Sequence, residues 1–130
     1  MVAVVLSSKS FSSVLDYHYE KIGEGRAKEL SGMYDNKSTA LHFLNEASDL
    51  KALKGKAPKS DHIFHHVLSM ASSDNLSDEE LSDYVREYVT RMGFRNNNML
   101  LFLHTDTDDK HIHIVGNRLD NDSLEDRVWL

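Results

Sequence analysis

The stretch "LLFLHTDTDDKHIHIVGNRL", Leu100 to Leu119, carries three histidines, His104, His111 and His113, between two aliphatic runs. Its flanks, "MLLFLH" and "HIHIVGNRL", are apolar and β-rich, and "TDTDDK" between them has turn chemistry. The pattern predicts a hairpin with a six-residue loop. Side chains alternate along a strand, so His111 and His113 share one face while Ile112 and Ile114 share the other. On the preceding strand Leu100, Phe102 and His104 share a face. Closing the hairpin brings the three imidazoles to one patch of one sheet face. Neutral imidazoles that leave coordination positions open suit a divalent metal that also meets substrate. Carboxylates could orient such rings from behind. Of Asp106, Asp108 and Asp109 only Asp106 is singled out, because an acidic run in a turn is ordinarily solvated.

Outward from this hairpin, "VAVVL" (Val2 to Leu6) reads as a buried strand and "HIFHHVLSM" (His62 to Met70) as a middle strand. "SFSSVLDYHYEKI" places Phe11, Val14, Leu15, His18 and Ile22 at helical spacing, and Gly23 and Gly25 end it. "STALHFLNEASDLKAL" is a second helix. The third has the clearest start: Ser77 and Glu80 form a capping box, and Leu76 and Leu81 stand where a hydrophobic staple belongs. The order strand, helix, helix, strand, helix, strand, strand predicts a two-layer α/β sandwich, with helices on one face of a mainly antiparallel sheet. His18 and His42 fall on helices and read as structural or surface residues. "HIFHH" could bring one further histidine near the hairpin.

The 130 residues suit a single domain over 1–130. The acidic tail ending in Trp129 and Leu130 either docks back on that domain or marks a chain cut from something longer. The absence of cysteine excludes thiolate metal sites and fits a reducing cytoplasm. No apolar run is long enough to cross a bilayer, and the N-terminus lacks a signal-peptide layout, so a cytoplasmic chain without membrane insertion is expected. The net charge is −6, but unevenly spread. Residues 1 to 60 hold nine Lys/Arg against seven Asp/Glu, for +2; residues 61 to 130 hold six against fourteen, for −8. Lys51, Lys54, Lys56 and Lys59 cluster in a loop that is either a phosphate contact or a solvated linker.

"HTDTDDKHIHIVGNR" resembles the third motif of plasmid-mobilisation relaxases, the histidine–hydrophobic–histidine endonucleases. Their H-x-D-T-D, H-x-H-I-V and N-R elements are met by His104, Asp106, Thr107, Asp108, His111, His113, Ile114, Val115, Asn117 and Arg118. "HHVLSMASSDNLSDEELSDYVREYVTRMGF" resembles the second motif, in which a strand ends in a serine, here Ser69, and a capped helix runs to "MGF". "FSSVLDYHYEK" resembles the first, where a tyrosine precedes a Glu-Lys pair. The likeness covers roughly residues 10 to 118. It implies a nuclease that nicks one DNA strand at an origin of transfer. Its tyrosine would attack the phosphate, leaving a 5′-phosphotyrosine and a free 3′-hydroxyl. His104, His111 and His113 would hold Mg2+ or Mn2+. The implied partners are single-stranded origin DNA and accessory mobilisation and coupling proteins. Two other readings stay open: a replication initiator or transposase with the same chemistry, and a truncated module that binds DNA or partners without cutting.

Two tyrosines compete for the nucleophile. Aligning the first motif selects Tyr17. On a helix Tyr17 lies about 120° from the apolar direction and Tyr19 about 80°, so Tyr19 is the better core residue. An acidic nuclease needs local positive potential for its DNA. The expected contacts are Lys9, Lys21, Arg26, Lys28, the Lys51–Lys59 loop, Ser69, Asn117 and Arg118.

Overall fold

The computed structural model describes residues 2–56 and 62–126. Along the chain these form β1 (Val2–Leu6), α1 (Phe11–Gly23), β2 (Ala27–Glu29), α2 (Lys37–Leu53), β3 (Ile63–Met70), α3 (Asp78–Arg91), β4 (Met99–His104) and β5 (Lys110–Asn117), with one turn of 3-10 helix before α3. Lys59 of the basic loop and the terminal Trp129 and Leu130 lie outside the described residues. The helices start where the sequence supplies caps. Ser10 Oγ accepts from the Ser13 amide, Asn36 caps α2, and Ser77 and Glu80 bond reciprocally at α3. Gly25, just past α1, takes a φ of +74°, a conformation glycine adopts without a Cβ penalty. No helix among the described residues is long and apolar enough to cross a membrane.

All five strands pair antiparallel in the order β1-β3-β5-β4-β2. The α/β class and the antiparallel sheet are as the sequence predicts. The hairpin is one residue tighter, because β5 begins at Lys110. β2 is an addition: three residues, Ala27–Glu29, are too few and too polar to show a periodicity, yet they extend the sheet past β4. β1 was expected to be buried but lies at the edge, with Val2 63% and Val5 69% exposed. Among the described residues it pairs with β3 alone.

The helices do not share one face, and this corrects the two-layer expectation. Registers in the ladders show which side chains are neighbours. Val115, Leu100 and Phe102 lie on the face packed against Phe11, Val14 and Leu15 of α1 and Ala40 and Leu44 of α2. Phe64, Leu68, Leu103, Ile112 and Ile114 lie on the other face, beneath Leu81, Val85 and Val89 of α3. The reason is the alternation in β5. Its histidines take one face, so Ile112 and Ile114 make the other wholly apolar, and leaving that face wet would forgo the burial of several large side chains. The sheet is thus a middle layer between α1/α2 and α3.

Gly116 of β5 permits a close approach in the α3-side core. A Cβ built there would stand 2.4 Å from two atoms of the Phe64 ring. That ring stacks on Phe94 at 4.3 Å between centroids, so it has nowhere easy to go. Gly116→Ala should cost about 1–3 kcal/mol, the usual scale of overpacking. In urea titration the midpoint should fall while the slope stays constant; an unchanged midpoint would mean that the ring moves freely.

Candidate active site and metal centre

The site lies on the α1/α2 face, where the central strand meets its neighbours. His104 of β4 is paired directly with His111 of β5, and Phe102 with His113. Val67 and Ser69 of β3 flank His113 and His111 from the other side. The three predicted histidines therefore occupy one face of adjacent strands, as alternation requires. His104 and His113 lie 4.4 Å apart between ring centroids. His111 sits at the rim of the patch, with Nδ1 2.8 Å from Ser69 Oγ.

Two histidines join from elsewhere. His18 of α1 is fully buried, its ring stacked 4.4 Å over Phe102 and its Nδ1 2.9 Å from His104 Nε2. One nitrogen each of His18, His104 and His113 can be chosen so that all three lie within 4.8 Å of one another, a group that could hold a metal ion. His65 of β3 touches His113 through Nε2 to Nδ1 at 2.8 Å, and its own Nδ1 lies 3.1 Å from Ser8 Oγ. If His113 Nε2 is to keep a lone pair for an ion, Nδ1–H must donate to His65, whose Nδ1–H then donates to Ser8. A ligating imidazole is commonly held in this way by an outer partner. His65 was visible in "HIFHH", but which histidine faced the hairpin depended on the β3 register. His18 read as a structural or surface residue, and it lies in the core.

Burial keeps these rings neutral. It is the largest cause lowering His18 to about 2, His113 to about 3 and His65 to about 4, with neighbouring imidazoles adding to the shift. Burial also lowers His104, against an opposing pull from Asp106. Neutral imidazoles are the form that binds metals.

Tyr17 and Tyr19 separate clearly. Tyr17 is 47% exposed, and its ring stacks on His104 at 5.7 Å and approaches His113 at 6.3 Å. Tyr19 points inward, its hydroxyl donating to the Tyr34 carbonyl at 2.7 Å, and burial raises its phenol to about 12. Asp106 does not bond a histidine ring. It accepts from Lys21 Nζ at 3.2 Å, and this bond holds its carboxyl below the usual range. Lys21 in turn lies 5.8 Å from the Tyr17 ring centre.

The expected DNA contacts divide by position. Lys21 stands beside Tyr17, and Lys28 pairs with Asp78. Arg26 is exposed near Glu24, and Lys9 is exposed before α1. Ser69 bonds His111. Asn117 is 1% exposed, and its amide is engaged by Leu44 O and Ser48 Oγ, so it ties β5 to α2 and has no free face for DNA. It stands six residues from His111, roughly 20 Å along a strand at about 3.4 Å per residue. The same far end holds Arg118, paired with Asp126, and Lys51, bonded to the Leu124 carbonyl. Lys54 and Lys56 are exposed just past α2.

Residues 17–126 match the family described as relaxase, MobA/VirD2-like, nuclease domain. A curated relative, "Protein MobA" of Acidithiobacillus ferrooxidans, is 32% identical over 75 residues, which is 57% of this chain and 18% of that protein's length. No solved structure matches.

The neutral histidines make folding sensitive to acid. Below the ordinary imidazole value of 6.5 the unfolded chain takes up protons that folded His18, His65 and His113 refuse. Their contribution is full above about pH 6.5 and declines as pH falls towards 4, by up to about 1.4 kcal/mol per pH unit for each group. Urea midpoints of chelator-treated protein should therefore drop between about pH 7.5 and pH 5; a level profile would contradict this account.

Proposed function

Because the chain belongs to the MobA/VirD2-like relaxase nuclease family, we propose that it nicks one strand of DNA at an origin of transfer, with Tyr17 as the nucleophile. The observation that carries this reading is the exposed Tyr17 ring stacked on His104 within the histidine cluster. In the proposed step Tyr17 Oη bonds to phosphorus and the bond from phosphorus to O3′ breaks. The phenolic proton leaves, and the departing O3′ takes one up. The products are a 5′-phosphotyrosine and a free 3′-hydroxyl. The covalent ester retains the phosphodiester's energy, so the strand can be resealed without ATP.

A phenol of ordinary pKa near 10 is a weak nucleophile at neutral pH, so its surroundings must help. His104, His111 and His113 are the proposed holders of a divalent cation, Mg2+ or Mn2+. The donor set suits one: three imidazoles on one sheet face, His104 buried and His111 and His113 half-buried, with Ser69 and His65 bonded to the other nitrogens of His111 and His113. Such an ion would supply electrophilic charge at the non-bridging phosphate oxygens. The protein's own part is to hold Tyr17 over the patch and to keep Lys21 beside it, tethered by Asp106. Single-stranded DNA is the proposed substrate, with Lys21 beside Tyr17 and the exposed Lys9 and Arg26 as phosphate contacts, whereas Lys28 is paired with Leu103 and bonded to Asp78 on the α3 face. Accessory mobilisation and coupling proteins belong to the same proposal.

The test is incubation with single-stranded origin DNA and Mg2+ or Mn2+, followed by a denaturing gel. Wild type and Tyr19→Phe should form a covalent adduct, and Tyr17→Phe should form none. An adduct with Tyr17→Phe and none with Tyr19→Phe would exchange the two roles. Product released without any adduct would indicate water as the nucleophile. Affinity for the oligonucleotide should fall about tenfold or more between 50 and 200 mM salt if phosphate contacts lead binding.

A further inference from the structure

His18 poses a hydrogen-bonding problem that the sheet histidines do not. Its ring is completely buried, and among the described residues Nε2 has no hydrogen-bond partner. Nδ1 faces His104 Nε2 at 2.9 Å, so one of those two nitrogens carries the hydrogen. If His18 Nδ1 carries it, Nε2 is a buried lone pair with no donor. If His104 carries it, His18 Nε2–H is a buried donor with no acceptor. Either arrangement leaves one group unsatisfied, and groups of this kind are rare enough in interiors to require a reason.

Packing alone does not supply that reason. The position is flanked by Phe102 beneath and three imidazoles at centroid distances of 4.7 to 5.8 Å. An apolar side chain of similar size would stack on Phe102 without an unsatisfied nitrogen. Instead the ring stands within ligand reach of His104 and His113.

We infer that His18 is a ligand of the same cation as His104 and His113, so that ion binding fastens α1, and with it the neighbouring Tyr17, to the sheet. The inference rests on the metal-assisted reading above and changes it in two ways. First, one ligand comes from the helix that carries the nucleophile, so cation occupancy and nucleophile placement become one event. Second, His18 adds a further imidazole to a group that contains no carboxylate. Nitrogen-rich sites favour Mn2+, Zn2+ and later transition ions over Mg2+, which prefers oxygen.

The experiment is calorimetric titration of the full chain with Mn2+, Zn2+ and Mg2+, for wild type, His18→Leu and His104→Ala. Wild type should bind Mn2+ and Zn2+ at least about tenfold more tightly than Mg2+. His18→Leu should keep its ion-free melting temperature, because leucine retains the packing, yet lose at least about tenfold in Mn2+ affinity. Mn2+ should slow amide exchange of α1 in wild type and not in His18→Leu. A second measurement does not depend on any variant folding: in the Zn2+-loaded wild-type chain a His18 ring nitrogen should show the 15N shift of a metal-bound imidazole. Equal Mn2+ affinity for wild type and His18→Leu, or a free-imidazole 15N shift at His18, would overturn the inference and leave the three-histidine site standing. Failure of wild type to bind any of the ions would overturn both.

Discussion

The pairing of β4 with β5 is the constraint from which the site follows. In that register His104 faces His111 across the strands, and Phe102 faces His113. A slip of one residue would send the histidines to the α3 side and Ile112 and Ile114 to the site. The slip is opposed from both faces at once. Ile112 and Ile114 are fully buried beneath α3, while Val115 is fully buried against α1 and α2. Two apolar cores thus hold a polar array in place, and the array needs no strong internal bonding to keep its geometry.

Much of this was legible in the chain because strand alternation is a local property. "HIHIV" announces its two faces without knowledge of any partner, and the capping box at Ser77 marks α3 in the same way. What escaped was whatever depends on which elements meet. β2 is three residues long and has a partner only because β4 runs beside it. The second helical layer follows from the apolar face of β5, but the step from that face to α3 needs the sheet order. His65 and His18 are single residues on apolar stripes, and a stripe does not say what lies opposite it. Asp106 points the other way: its position in the third motif suggested a ring partner, whereas its carboxylate reaches Lys21, placed near by α1.

Charge follows the same division. The residues nearest the histidines are neutral rings, with one lysine tethered by one carboxylate. The wider acidic balance of the second half of the chain lies mostly on the surface of α3 and in the turns, as with Asp78, Glu79 and Glu80 in the first turn of α3. The five carboxylates of α3 are separated from the site by the thickness of the sheet, whereas Asp106, Asp108 and Asp109 lie in the β4–β5 turn beside it, Asp106 being paired with Lys21.

β5, as the central strand, has its backbone bonded on both edges, by β3 and by β4. α1, by contrast, is held to the sheet by side chains: Phe11, Leu15, His18 and the Lys21–Asp106 pair. Local opening is easiest where attachment is through side chains alone. The two halves of the site therefore differ in mechanical character. The imidazole platform lies on strands joined by backbone bonds, while the tyrosine sits on a helix that meets the platform through side chains, His18 against His104 and Phe102 among them. In the proposed reaction the helix would carry the attacking group with a DNA strand joined to it, and the backbone-bonded platform would meet the same phosphate twice, at cleavage and at resealing.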